Sequence, residues 1–151
     1  MSFQRVNDVL GTIREYHAQA AIYYHHLYRN SEGKRMRMLL SYLVAREMEM
    51  VKMMNAFHAE VSPGIRQRWM QFAPPSVMQG KLWPGRTRKV HSPQELLAIS
   101  GEIDAALINY SQTLAGMARK PDVRAVFQSM CQKIMQKRRE VVFNNQFLAS
   151  I

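Results

Sequence analysis

The chain has 151 residues, of which 47% are hydrophobic and 21% charged, as in an ordinary globular domain. This length suffices for one domain with a sizeable core, and no apolar run approaches the roughly twenty residues that a membrane-spanning helix needs. Lys and Arg outnumber Asp and Glu by 21 to 11, which gives a net charge of +10. That balance favours an acidic partner, whether nucleic acid, an anionic membrane surface or an acidic protein patch.

The compartment is indicated by the amino-terminal residues and by Cys131, the single cysteine. The amino-terminal residues lack the apolar core of a secretory signal, and one cysteine cannot form a disulfide within the chain. We therefore expect a cytoplasmic protein that folds as one domain over residues 1–151. Cys131 is interpreted as a small helical residue beside the core rather than as a reactive thiol.

The first part of the chain, about residues 3–61, has the pattern of a helical hairpin. Apolar residues at helical spacing predict one helix from Phe3 to Tyr28 and a second from Lys34 to Glu60. Gly33 ends the first helix, and Ser62-Pro63-Gly64 breaks the chain after the second. Because only a few residues separate the helices, we expect them to be antiparallel neighbours.

Residues 62–91 form a long connection. The stretch Arg66–Phe72 predicts a short helix, and the prolines and glycines that follow prevent a long one. A connection of this length needs a purpose, and the simplest is to cross the length of a helical bundle. Its end is basic and carries a tryptophan, so we expect a polyanion or partner contact there. The residues are Lys81, Trp83, Arg86, Arg88 and Lys89.

A second helical hairpin is predicted over residues 92–148. Ser92 can cap a helix, Pro93 suits its first position, and Glu95 completes a capping box. This third helix runs to Ala118, and a fourth runs from Pro121 to Phe147. No segment has clear strand alternation, so the expected fold class is all-α.

The two hairpins match each other at an offset of 87 residues. Glu15 aligns with Glu102, Tyr23 aligns with Tyr110, and the apolar positions of the second helices also coincide. Two similar helical hairpins joined by a long connection predict a four-helix bundle with one crossover between helices two and three.

Glu47 stands on the apolar face of the second helix, where an apolar residue is expected. A carboxylate on a core face costs several kcal/mol unless it is paired, protonated or bound to a metal. The sequence therefore predicts a specific partner for Glu47.

The pattern resembles that of the ferritin-like superfamily, and of rubrerythrin-type domains in particular. Those domains carry a Glu on the first helix of each hairpin, a Tyr about two turns later, and a Glu-x-x-His on each second helix. The resemblance implies a ferritin-like bundle in which Glu15, Glu47 and Glu102 are retained carboxylate positions, with Tyr23 and Tyr110 as the tyrosines.

The departures from that pattern argue against an intact di-iron site. Met50 stands where the first histidine belongs, and the repeat puts Ile134 and Lys137 at the corresponding positions of the fourth helix. A thioether and an ammonium group do not replace imidazole and carboxylate ligands. We therefore expect a vestigial cluster with no metal and no cofactor.

Lys137 leaves alternatives open. It could neutralise the inward carboxylates, or a shift of one turn could give that role to Arg138 or Arg139. Otherwise Lys137 extends to solvent and Glu47 pairs with Arg46 or Lys52 at the edge.

Two other metal hypotheses are weaker. His25 or His26 with Glu32 could form a site, and the twelve methionines invite a Cu(I) interpretation. Methionines two apart on a helix do not face each other, so they are better explained as adaptable core residues or as a partner-binding face.

The expected function is therefore that of a non-catalytic, metal-free ferritin-like protein, regulatory or adaptor in role, that binds itself as a homo-oligomer and a further protein. One alternative is a divergent metal-binding oxidoreductase that uses Glu15, Glu47 and Glu102. Another is a basic adaptor for nucleic acid or another polyanion, although no nucleic-acid-binding module is recognisable.

Overall fold

The chain folds into two long helical hairpins and a short β-ribbon. The structure, a computed structural model, describes residues 2–72 and 89–149, and for residues 2, 72 and 141–149 it describes the backbone alone. The elements in chain order are β1 (Ser2–Arg5), α1 (Val6–Arg29), α2 (Lys34–Glu60), α3 (Pro63–Arg66), β2 (Trp69–Phe72), α4 (Pro93–Met117) and α5 (Pro121–Ala149). The mostly helical content confirms the all-α class.

Local sequence signals account for the helix ends. The hydroxyl of Ser92 accepts a hydrogen bond from the Glu95 amide at 3.1 Å, so the predicted cap of α4 is confirmed. The Glu95 carboxylate accepts from the His91 amide at 2.9 Å, one residue before the position of a standard capping box. Between α1 and α2, the Arg37 guanidinium stacks on Tyr28 at 4.3 Å and fixes the turn.

The core consists of two apolar clusters, each built from several helices. One cluster joins residues from α1, α2, α4, α5 and β2 and includes Ile13, Met50 and Phe127. The other joins residues from α1, α2 and α4 and includes Ala20 and Leu43. On α1 the two clusters meet between Ile13 and Ala20, and on α2 they meet between Leu43 and Met50. Any polar side chain at that junction is therefore surrounded by apolar groups.

The β-ribbon corrects two predictions. Helix one was expected to begin at Phe3, and Arg66–Phe72 was expected to form a short helix. Instead β1 and β2 pair in antiparallel fashion with Phe3 opposite Gln71 and Arg5 opposite Trp69, and α1 begins at Val6. The local pattern could not reveal this pairing, because a strand needs a partner, and the partner lies far along the chain.

Among the described helices, none is both long and apolar enough to cross a lipid bilayer.

Candidate functional site

A network of three ion pairs and one histidine–carboxylate hydrogen bond lies at the junction of the two apolar clusters. Nδ1 of His17 lies 2.8 Å from Oε2 of Glu47. Nη1 of Arg46 lies 3.0 Å from Oε1 of Glu47 and 3.1 Å from Oδ1 of Asp104. The second oxygen of Asp104 accepts from Nη1 of Arg138 at 3.1 Å. We call these five residues the buried ion-pair network.

Burial of the network is nearly complete. His17 and Glu47 are fully buried, Asp104 is 1% exposed and Arg46 is 5% exposed. The Arg138 side chain, 28% exposed, is the only member that reaches the surface. Two guanidinium groups face two carboxylates, so the charges of the arginines and the carboxylates balance each other. Burying a charge is tolerated when it is paired and hydrogen-bonded in this way.

The electrostatics follow from burial and from the close pairing. Burial alone would lower the pKa of the Arg46 guanidinium, but the carboxylates of Asp104 and Glu47 outweigh it and raise that pKa. Burial raises the pKa of Asp104 against the opposing effect of Arg46. Burial, reinforced by the charge of Glu47, also raises the pKa of the neighbouring Tyr24 phenol. Arg46 is therefore a permanent cation at the centre of the site.

Arg46 and His17 keep some hydrogen-bonding capacity beyond these pairs. Nε and Nη2 of Arg46 and Nε2 of His17 are buried without a hydrogen-bonding partner among the described protein atoms. The hydrogen bonds of Arg46 to Glu47 and to Asp104 both come from Nη1. Neither carboxylate is therefore bound through two nitrogens of the guanidinium.

The structure separates the carboxylates that the sequence grouped together. Glu47 is buried, as its position on the apolar face requires, whereas Glu15 and Glu102 are exposed. Glu15 accepts a hydrogen bond from Gln19 on the same helix. At about 100° per residue, His17 is about 40° from the buried Ile13 around the helix axis and Glu15 about 200°. His17 therefore faces the core and Glu15 faces away from it.

Lys137 does not neutralise Glu47. Its ammonium group pairs with Glu140 at 3.3 Å and with Glu49 at 3.8 Å, near the surface. Two of the alternatives that the sequence left open describe the structure better. Arg46 is a partner of Glu47, although within the core rather than at the edge, and Arg138 turns inward, although towards Asp104.

The two tyrosines of the predicted pattern occupy different environments. Tyr23 is buried, with its ring centroid 5.5 Å from that of Tyr24. Tyr110 is half-buried at the edge of the first apolar cluster, and burial raises the pKa of its phenol. The two tyrosines therefore do not share one environment, as the pattern implied.

His17 and Asp104 are the functional residues that sequence reasoning missed. They are 87 positions apart, the same offset that relates Glu15 to Glu102. Each follows its glutamate by two residues, and each is buried. The internal repeat relates His17 to Asp104 as well as Glu15 to Glu102. The prediction used the glutamates, which lie on the exposed faces of their helices.

The metal hypotheses find no ligand set in the described part of the chain. No group of three or more His, Cys, Asp or Glu side chains there could hold a metal ion. His25 and His26 are exposed. Among the methionines, Met50 and Met54 are core residues, whereas Met38 and Met48 are about half exposed. Burial raises the pKa of the Cys131 thiol, which makes it less reactive at neutral pH.

A surface pocket of about 170 Å³ lies between the β-ribbon and the turn that joins α4 to α5. Two exposed aromatic side chains flank it, Phe3 at 65% and Trp69 at 63% exposure. Met117 and Val123 contribute apolar walls. The exposed Arg119 and Lys120 complete the lining. We call this feature the ribbon pocket; sequence analysis missed it because it depends on the pairing of β1 with β2.

The basic end of the connection lies mostly outside the part of the chain that the structure describes. Lys81, Trp83, Arg86 and Arg88 lie outside the described residues, and Lys89, which lies within them, is exposed.

In comparisons with known proteins, no family model, curated protein or solved structure matches the chain. The ion-pair network and the ribbon pocket are therefore interpreted from their own chemistry.

Proposed function

We propose that this protein is a non-catalytic, metal-free helical protein that acts by binding another protein, in an adaptor or regulatory role. We further propose that its hairpins form a ferritin-like bundle in which an ion-pair network replaces the metal centre. The proposal is supported by the 87-residue offset that relates the two hairpins and by the core positions that they share. It is also supported by the burial of His17 and Asp104 at equivalent positions.

The observation that carries the metal-free part is the position of Arg46. Its Nη1 lies within 3.1 Å of both Glu47 and Asp104, between the two buried carboxylates. A divalent ion would need these same oxygens and would have to displace a guanidinium whose pKa its neighbours raise. His17 already uses Nδ1 for Glu47. The Arg46 guanidinium thus neutralises the two carboxylates, as a metal ion does in a carboxylate site.

Protein binding is supported by the exposed apolar side chains. Phe3 and Trp69 lie together on the β-ribbon beside the ribbon pocket. Large apolar side chains that cluster on a surface and border a pocket are typical of a site where another molecule docks. A catalytic role has weaker support, because Glu15 and Glu102, which the oxidoreductase hypothesis needs beside Glu47, are exposed on α1 and α4.

Metal content is the direct test of the metal-free part. The purified protein is offered iron, manganese, zinc and copper, desalted, and analysed for bound metal and for its melting temperature. We expect no stoichiometric metal and no change in melting temperature. Stoichiometric metal that disappears in a Glu47→Ala, Asp104→Ala variant would instead favour the metal-binding oxidoreductase.

Self-association and nucleic-acid binding need separate measurements. Sedimentation velocity over a range of protein concentrations and salt tests the homo-oligomer that the sequence predicts, against which the net charge of +10 acts at low salt. Titration with single-stranded and duplex DNA tests the polyanion adaptor. Tight binding with a steep salt dependence would favour that adaptor over a protein-binding role.

A further inference from the structure

We infer that the ribbon pocket binds an acidic segment of a partner protein by taking in one apolar side chain of that segment. The inference rests on the proposed protein-binding function and adds to it the place of binding and the chemistry of the partner. It is carried by the pairing of an apolar pocket with two exposed cations that form no ion pair with any described residue.

The apolar part of the pocket is assembled from β1, β2 and the residues around the turn between α4 and α5. Because partners across an antiparallel ribbon point to the same side, Phe3, Arg5 and Trp69 share its outer face. The Arg5 guanidinium lies 5.1 Å from the centroid of the Trp69 ring and braces it. A volume of about 170 Å³ is below that of pockets for drug-sized ligands, which suits a single anchor side chain.

The charged part of the pocket carries one sign. Arg119 and Lys120 line it, both are exposed, and neither side chain forms an ion pair with any residue that the structure describes. Among the described lining residues none is acidic. The nearby carboxylate of Asp122 is occupied by Arg68 at 2.8 Å. The described walls of the pocket therefore carry positive charge and supply no counter-charge to it.

The pocket is held in shape before any partner arrives. The Val6 amide donates to the Arg68 carbonyl, which ties the start of α1 to the ribbon. The Arg68–Asp122 ion pair ties the ribbon to α5. Nη2 of Arg124 donates to the Ala118 carbonyl at 3.1 Å and fixes the α4–α5 turn. A preformed pocket reduces the ordering cost that binding must overcome.

Charge selects the occupant. Residues 73–88, which follow β2, contain Lys81, Arg86 and Arg88 and no acidic residue. A second copy of the chain carries a net charge of +10. Both would bring positive charge to Arg119 and Lys120 and are disfavoured. A nucleic acid would satisfy the cations but leaves an apolar anchor pocket unused, so an acidic peptide segment fits both features.

The test is selection from an unbiased library of displayed twelve-residue peptides. The library is selected on the folded full chain and on two variants with the same net charge. One is Arg119→Glu/Lys120→Glu at the pocket, and the other is Lys34→Glu/Lys52→Glu at exposed positions of α2. We expect enriched peptides that carry Asp or Glu around one large apolar residue. Their affinity should fall about tenfold or more in the pocket variant and change less than about twofold in the α2 variant.

Three outcomes would overturn the inference. One is a failure of the wild type to enrich any peptide over the pocket variant, and a second is enrichment of peptides without acidic residues. The third is single-stranded DNA that competes with the selected peptides and binds more tightly. Peptides that bind elsewhere would refute the ribbon pocket while leaving a protein-binding function intact. The proposed metal-free function would fail in a different experiment, if the purified protein bound stoichiometric metal at Glu47 and Asp104.

Trp69→Ser provides an independent check. The side chain is 63% exposed, so its removal leaves the fold in place, which circular dichroism verifies. We expect the selected peptides to lose affinity about tenfold in this variant. Unchanged affinity for Trp69→Ser together with Phe3→Ser would exclude the ribbon pocket as the binding site.

Discussion

His17 and Asp104, at equivalent positions in the two helical hairpins, are buried in the same ion-pair network. Glu47 joins His17 to Arg46, and Arg46 joins Glu47 to Asp104. Each hairpin contributes through both of its helices, because Arg138 on α5 completes the pairing of Asp104. The network thus links the hairpins through polar contacts, in addition to the apolar clusters on either side.

Replacing Arg46 with alanine should destabilise the protein strongly. The substitution leaves Glu47 and Asp104 buried with one partner fewer each, and breaking a buried pair in this way costs about 3–5 kcal/mol. The free energy of unfolding from urea titration measures the effect. Lys52→Ala removes a cation from an exposed position of the same helix and is the control, which should change stability by less than about 0.5 kcal/mol. Equal effects of the two substitutions would show that the network contributes no more than a surface residue.

The sequence predicted the long helices because their signals are local. Ser92 and Glu95 mark the start of α4, and Ser62-Pro63-Gly64 marks the end of α2. The need of Glu47 for a partner was likewise visible, since a carboxylate interrupted an apolar face. These features depend on neighbours within a few residues, which a sequence displays directly.

The β-ribbon and the identity of the inward residues were not predictable in the same way. β1 exists because β2 pairs with it, and neither segment alternates clearly enough to be recognised alone. On α1, Glu15 fitted a family pattern, whereas the apolar stripe through Ile13 and Ala20 places His17 inward. The positions of the apolar residues around the helix would have identified His17 as an inward residue. This required preferring the apolar stripe over the family pattern, which favoured Glu15.

Lys137 and Arg138, adjacent in sequence, should differ in their contribution to stability. Lys137 forms near-surface pairs, which contribute about 0–1 kcal/mol, so Lys137→Ala should be almost neutral. Arg138→Ala removes a charge-assisted hydrogen bond to a buried carboxylate and should cost about 1–3 kcal/mol. Urea titration of both variants makes the comparison. A larger cost for Lys137→Ala than for Arg138→Ala would restore Lys137 as the partner of the inward carboxylates.

His58 should make the protein sensitive to mild acid. Burial, with Arg66 and Arg14 nearby, lowers the pKa of His58 below its ordinary value of 6.5. The unfolded chain therefore takes up the proton more readily than the folded one. The stability contribution is complete above pH 6.5 and is lost as the pH falls through the folded-state pKa.

The measurement is the difference in melting temperature between about pH 7.5 and about pH 5.5. This difference should shrink in His58→Gln, which keeps a donor for Asn7 but does not titrate. The exposed His25→Gln is the control and should retain the wild-type difference. An unchanged difference in His58→Gln would show that other groups cause the acid sensitivity.

Gly101 should respond to substitution through Arg138. A Cβ at this position of α4 would lie 2.9 Å from Nη2 of Arg138, so the flexible end of that side chain, which also pairs with Asp104, must shift to make room. At Gly11 and Gly116, also within helices, a Cβ would meet nothing within 4 Å. Alanine at Gly11, in the interior of α1, should stabilise the protein by about 1 kcal/mol through helix propensity, and alanine at Gly116, near the end of α4, should stabilise it less. Gly101→Ala should stabilise the protein less than Gly11→Ala, because part of the gain is used to displace Arg138.

A double-mutant cycle isolates the cause. In the Arg138→Ala background the obstacle is gone, so Gly101→Ala should then stabilise the protein by about 1 kcal/mol, as at Gly11. The coupling between positions 101 and 138 should be absent between positions 11 and 138, which urea titration of the variants measures. If Gly101→Ala were equally stabilising in both backgrounds, Arg138 would not need the glycine. The Arg138 side chain would then have room beside an alanine at position 101 without leaving Asp104.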